Sequence, residues 1–157
     1  MSDTLELYVL LDENGNAVGH PYFGDNLRHA LNIEPSTDPN YAPFTRITFE
    51  DSGVVLNLLQ GGSNSYEKVN GVWQDVWTAV DLTGDDLTAQ QADIANEITA
   101  FIQRRTAKLT SLMNVATSDA SKQIYQNAIN EVQAFTITDY NVPKIPWPTI
   151  PKLTPTT

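Results

Sequence analysis

The chain has no cysteine. That excludes disulfides, thiolate zinc sites and a cysteine nucleophile, and it fits manufacture in a reducing cytoplasm. Histidine is scarce too, with only His20 and His29. They could meet Asp25 as the start of a metal site, but no third ligand motif surrounds them. Basic residues number nine against nineteen acidic ones, for a formal net charge of −10. A protein of that balance is not expected to bind nucleic acid through a basic face. No segment approaches the roughly 20 apolar residues of a membrane span, so no membrane partner is expected. Met1-Ser2-Asp3-Thr4 lacks the basic start of a signal peptide, and the apolar run Leu7–Leu11 is too short for one.

The search for chemistry also returns absences. Asp12-x-Asn14-x-Asn16 has the opening spacing of a calcium loop. Its glycine comes too early, however, and Phe23 stands where a bidentate glutamate is required, so the stretch reads as a hairpin turn. Gly61-Gly62-Ser63 lacks the lysine of a phosphate loop and the closing glycine of a nucleophile elbow. Glu50-Asp51 and Asp85-Asp86 are neighbouring carboxylates on a turn and at a helix start, where solvated caps are the ordinary reading. No catalytic residue, metal ligand or cofactor is assigned, and the protein is expected not to be an enzyme.

What is present begins with one long stretch. Asp85–Met113 contains neither glycine nor proline. Leu87, Ile94, Ile98, Phe101, Ile102, Leu109, Leu112 and Met113 recur at the spacing of one helical face. Thr83 is the expected N-cap, with Asp85 and Asp86 in the first turn and Arg104, Arg105 and Lys108 towards the other end. Such a helix is roughly 40 Å long, more than a small domain needs. That excess suggests a protein that works by contact.

The rest of the chain arranges itself around this helix. Leu5–Leu11 and Ala17–His20 are expected as strands about Asn14-Gly15, and Asp25–Leu31 as a short helix. The proline-bearing run 35–43 reads as a loop. Phe44–Glu50 alternates as a strand, Val54–Leu59 follows as another, and Gly61–Ser65 reads as a flexible loop. Tyr66–Val69 and Val72–Val80 flank Asn70-Gly71 as a hairpin. Trp73 and Trp77 share one face of its second strand. A second helix starts at Thr117 or Ser118 and runs to about Phe135, antiparallel to the first because the connection is short. It is too short to cover the Leu87–Ile98 half of the long helix, which is expected to meet the β-domain or a second copy. Five prolines between Val142 and Pro155 favour an extended path, and the interleaved Ile145, Trp147, Ile150 and Leu153 suit a groove on this chain or a partner.

Two regions carry a family resemblance. Tyr66-Glu67-Lys68-Val69-Asn70-Gly71-Val72-Trp73-Gln74-Asp75-Val76-Trp77, followed by Asp81-Leu82-Thr83 opening a helix, resembles small tail proteins of tailed bacteriophages. Tyr8-Val9-Leu10-Leu11-Asp12-Glu13-Asn14-Gly15-Asn16, with His20-Pro21 and Asp25-Asn26-Leu27-Arg28, looks like the opening of the same group. Tyr125 and Ala128-Ile129 on a helix, then Pro146-Trp147-Pro148-Thr149-Ile150-Pro151, are similar to the end of tail assembly chaperone and tail fibre assembly proteins. The resemblance implies a non-enzymatic protein that binds fibre, tail or baseplate subunits, in the host cytoplasm during assembly or permanently in the virion tail. Tail fibres are commonly trimers, so a homo-oligomer or a symmetric assembly is implied as well.

The expected fold is α+β: a mostly antiparallel β-domain with one short helix (residues 1–82), a helical hairpin (83–136) and an extended Pro/Trp tail (137–157). The expected partner-binding residues are Trp73, Trp77, Leu87, Ile94, Ile98, Ile145, Trp147, Ile150 and Leu153. A permanent structural role, as fibre adaptor or baseplate component, is the alternative to an assembly factor. A third reading is a sugar-binding module in which Trp73, Trp77, Tyr41 and Tyr66 form a stacking platform.

Overall fold

The computed structural model describes residues 5–150. The fold is α+β, with five strands and three helices among the described residues: β1 Leu7–Leu11, β2 Ala17–Phe23, α1 Gly24–Leu31, β3 Tyr41–Thr45, β4 Gln60–Val69, β5 Val72–Asp81, α2 Gly84–Val115 and α3 Asp119–Gln133. The chain divides into two compact units. One comprises Met1–Val55 with Gly62–Val80, the other Leu56–Gly61 with Asp81–Thr157.

The first unit is built on a sheet in the order β2-β1-β3-β5-β4. It is mixed rather than wholly antiparallel, because β3 and β5 pair in parallel, Phe44 opposite Trp73. The parallel pair arises because the chain leaves β3, returns along β4 at the edge, and only then inserts β5 between them. Asp12 organises the β1–β2 turn: one of its oxygens accepts from the backbone N–H groups of Asn14 and Asn16, and Gly15 supplies a left-handed φ of 78°. These hydrogen bonds hold the Asp12 carboxyl below its usual range, that to Asn16 foremost. Asn70 and Gly71 both have positive φ, as the two-residue turn between β4 and β5 demands. Tyr8 and Val9, on opposite faces of β1, are both buried, together with Leu27 of α1 and Phe44 of β3. Arg28 of α1 holds Glu6, Asp25 and Glu34 at 2.9, 3.4 and 3.1 Å.

Four expectations for this region are corrected, the first being the loop over 35–43, whose last residues Tyr41, Ala42 and Pro43 belong to β3 and pair with β1. The strand expected over Phe44–Glu50 ends at Thr45, and Glu50–Ser52 forms a 3-10 turn. The next residues cannot extend the ladder, because side chains take the hydrogen bonds of Ile47: its N–H donates to Asp75 Oδ2 at 2.8 Å, and its carbonyl accepts from Trp77 Nε1 at 2.8 Å. Val54–Leu59 is not a strand either. Its backbone is bound one group at a time: Leu59 N–H by Asn57 Oδ1, Leu58 N–H by the Tyr140 carbonyl, and Leu58 carbonyl by Gln90 Nε2. Conversely, Gly61–Ser65 is part of β4, not a loop. A Cβ on Gly62 would lie 3.1 Å from the Phe49 ring, so glycine serves close packing there rather than flexibility.

The second unit is organised by α2, whose 32 residues span about 48 Å at the usual rise. Thr83 precedes it but makes no side-chain cap bond, and the helix runs on past the expected end, so Lys108 lies outside its last turn. Ser118 does cap α3, accepting from Ser121 N–H at 3.1 Å. Only 116–118 separate the two helices, and Phe135 beyond α3 meets Phe101 in the middle of α2 at a centroid distance of 6.3 Å. The pair is therefore antiparallel. Phe101 and Leu109 of α2 pack with Ala128, Ile129 and Val132 of α3 in the core of this unit. Each such burial contributes roughly 1.5–3 kcal/mol for the larger side chains.

Candidate partner-binding surface

Residues 136–150 follow α3 with no helix or strand. Their path is set by side-chain anchors in the same unit. Leu58 N–H donates to Tyr140 O at 3.2 Å, and Asn57 Nδ2 donates to Asn141 Oδ1 at 3.2 Å. Farther on, the Trp147 indole stacks on Phe101 at 4.4 Å with an interplanar angle of 25°, and it also meets Phe135 at 5.7 Å. Ile150 packs against the α2–α3 core. Three of the four expected tail residues thus have places in the described structure, and Leu153 lies outside the described residues.

Among the described residues these anchors leave hollows along α2, three of which bear on the candidate surface. One, about 340 Å³, has Leu87, Leu82 and Leu59 beside Tyr140. The next, about 320 Å³, brings Ile94, Leu58, Ile145 and Trp147 together with Glu97 and Lys144. The third, about 600 Å³, lies between Phe101, Arg104 and Arg105 on the helix and Trp147–Ile150. The Arg105 guanidinium lies 5.6 Å from the Phe101 centroid, a cation–π contact. Trp147 keeps 40% of its surface exposed while its ring is held on Phe101.

The Leu87–Ile98 half of α2 was expected to need the β-domain or a second copy. Within this unit, Leu58 and Leu59 on one side and Tyr140–Trp147 on the other already flank Leu87 and Ile94, and Ile94 is buried. Ile98 is half-buried. Helix length therefore ceases to be an argument for a second copy.

Trp73 and Trp77 belong to the first unit, where both are half-buried. Trp77 is engaged by Ile47 and stands edge-on to Phe49 at 5.5 Å. The aromatics of the imagined sugar platform are distributed over separate pairs: Tyr41 with Tyr22, Tyr66 with Phe44 and His20, Trp77 with Phe49. His20 meets the Tyr66 hydroxyl at 3.0 Å, whereas His29 meets the Asp25 carbonyl at 2.9 Å. Among the described residues no three of His, Asp and Glu gather as a metal site would require. No helix among them is long and apolar enough to cross a membrane.

Sequence reading missed the convergence of Phe101, Arg104 and Arg105 on Trp147. The i, i+4 spacing of Phe101 and Arg105 was a visible signal for half of it. No family model, no curated protein and no solved structure matches the chain.

Proposed function

We propose that this protein is a non-enzymatic component of bacteriophage tail assembly, binding fibre or tail subunits by protein contact along α2 and the segment beyond Tyr140. The observation that carries the reading is Trp147, a large aromatic seated on Phe101 yet 40% exposed, with hollows on both sides. Half-exposed tryptophan and arginine on a fixed frame are the side chains that most often anchor protein interfaces. The phage setting rests on the resemblance of the Tyr66–Trp77 and Pro146–Pro151 motifs.

Mass spectrometry of purified phage particles and of infected-cell lysate tests it. Stoichiometric detection in particles makes the protein a permanent tail subunit, such as a fibre adaptor or baseplate component. Abundance in lysate with absence from particles makes it an assembly factor that leaves. Absence from both overturns the phage reading.

A further inference from the structure

The 600 Å³ hollow has the wrong charge for this chain. The protein carries a net −10, yet the hollow is walled by Arg104 and Arg105, with no carboxylate among its described lining residues. Among the described residues Arg28 and Arg46 form ion pairs, whereas Arg104 and Arg105 form none. The two lie about 100° apart around the helix, yet both line the hollow. Arg105 is steadied by the Phe101 ring. Opposite the cations the wall is apolar, with Trp147, Pro148 and Ile150.

We propose that this hollow binds an extended acidic segment of a partner protein, one carboxylate held between Arg104 and Arg105 and the adjoining apolar side chain laid against Trp147 and Ile150. Planar guanidinium groups bind carboxylates through paired N–H donors, and they are more readily desolvated than ammonium groups. A wall that is cationic on one side and apolar on the other suits a chain in which acidic and aliphatic residues alternate. A hollow of this size is large enough for one or two such residues. The proposal rests on the reading of the protein as one that works by contact, and it adds the chemistry of the partner.

The test uses the full chain and two blocked hexapeptides, one alternating leucine with aspartate, the other leucine with asparagine. Binding is read from the indole N–H signals in two-dimensional NMR, with Trp73 and Trp77 as internal controls. The aspartate peptide is expected to shift the Trp147 signal alone and to bind at least tenfold more tightly than the asparagine peptide. Arg104→Gln with Arg105→Gln should weaken it at least tenfold with the far-ultraviolet circular dichroism unchanged. Arg104→Lys with Arg105→Lys should recover only part of that loss. Equal binding of the two peptides overturns the proposal, as does a shift confined to Trp73 or Trp77. Inorganic phosphate that displaces the peptide at equal concentration reduces the site to a simple anion site and also overturns it. So does binding seen only after removal of 151–157, which makes those residues the occupant. If the peptides fail while the protein is found in phage particles, this inference falls and the proposed function stands. If both fail, the contact reading falls with it.

Discussion

Asp75 lies on the inward face of β5, between Trp73 and Trp77, with none of its side chain exposed. Its oxygens accept from Arg46 Nη1, Asn64 Nδ2 and the Ile47 N–H, each at 2.8 Å. One carboxylate thereby ties two segments of the first unit, residues 46–47 and β4, to β5. Asp75→Ala should cost about 2–3 kcal/mol, because three part-buried donors lose their acceptor. Arg46→Ala should cost about 1 kcal/mol, since Arg46 is half-exposed and Asp75 keeps two donors. Urea unfolding followed by tryptophan fluorescence gives both values, and the reverse order would refute this account. Glu34 offers a second test. The Ser36 hydroxyl and then Arg28 hold its carboxyl below the usual range. A depressed value means stabilisation that is present above the unfolded pKa and lost as pH falls through the folded one. In an NMR titration Glu34 should protonate below the usual glutamate range, and Ser36→Ala should move it upward.

Individual elements divide by where their hydrogen bonds go. The β1 and β2 strands, α1, the Asn70-Gly71 hairpin, α2 and α3 were all legible in the sequence, because each shows its own period or turn residues. The strand expected at Phe44–Glu50 was not. Its alternation is real, but Ile47 is claimed by Asp75 and Trp77, some 30 positions away, and no local pattern announces that. Gly62 misled in the same manner, since what its missing Cβ makes room for is the ring of Phe49. Of the candidate surface, the alternation of proline with Ile145, Trp147 and Ile150 was legible, whereas the arginines across from them were not. The two helix starts permit a direct comparison. Ser118→Ala should destabilise the second unit by about 1 kcal/mol, for it removes an N-cap bond. Thr83→Ala should cost only a few tenths of that, because Thr83 makes no such bond. Within the helix pair, Val132 is 1% exposed, and Val132→Ala should cost about 2 kcal/mol in thermal or urea unfolding.

At the scale of the whole chain, two units with separate cores need not unfold together. Trp147 reports on the second and Trp73 and Trp77 on the first, so resolved indole signals should give distinct transitions when only one unit is weakened. Trp147→Ala should lower the stability of the second unit by about 2 kcal/mol, less than for a fully buried tryptophan because 40% of the residue is already exposed. Hydrogen exchange should show the loss in α2 and α3, with protection in β1 and β3 unchanged. A loss spread evenly over both units would mean that they behave as one cooperative body. Removal of Val142–Thr157 should have the same regional effect, larger in size, because it takes Ile150 as well as Trp147 from the α2–α3 core.

The second unit draws its parts from both sides of the first unit's last strands, residues 56–61 ahead of them and 81–157 behind. During synthesis the ribosome therefore releases Leu58 and Leu59 before the helix they flank exists, and the Tyr140–Ile150 segment only after both helices have emerged. The sheet has all its strands once Asp81 has emerged, whereas the hollows around Trp147 are complete only once Ile150 has emerged. The proposed binding surface, assembled in that order, captures no partner on a nascent chain that stops short of Ile150. Arrested nascent chains of increasing length should acquire β-sheet protection first, and affinity for a partner only after residue 150 has cleared the exit tunnel.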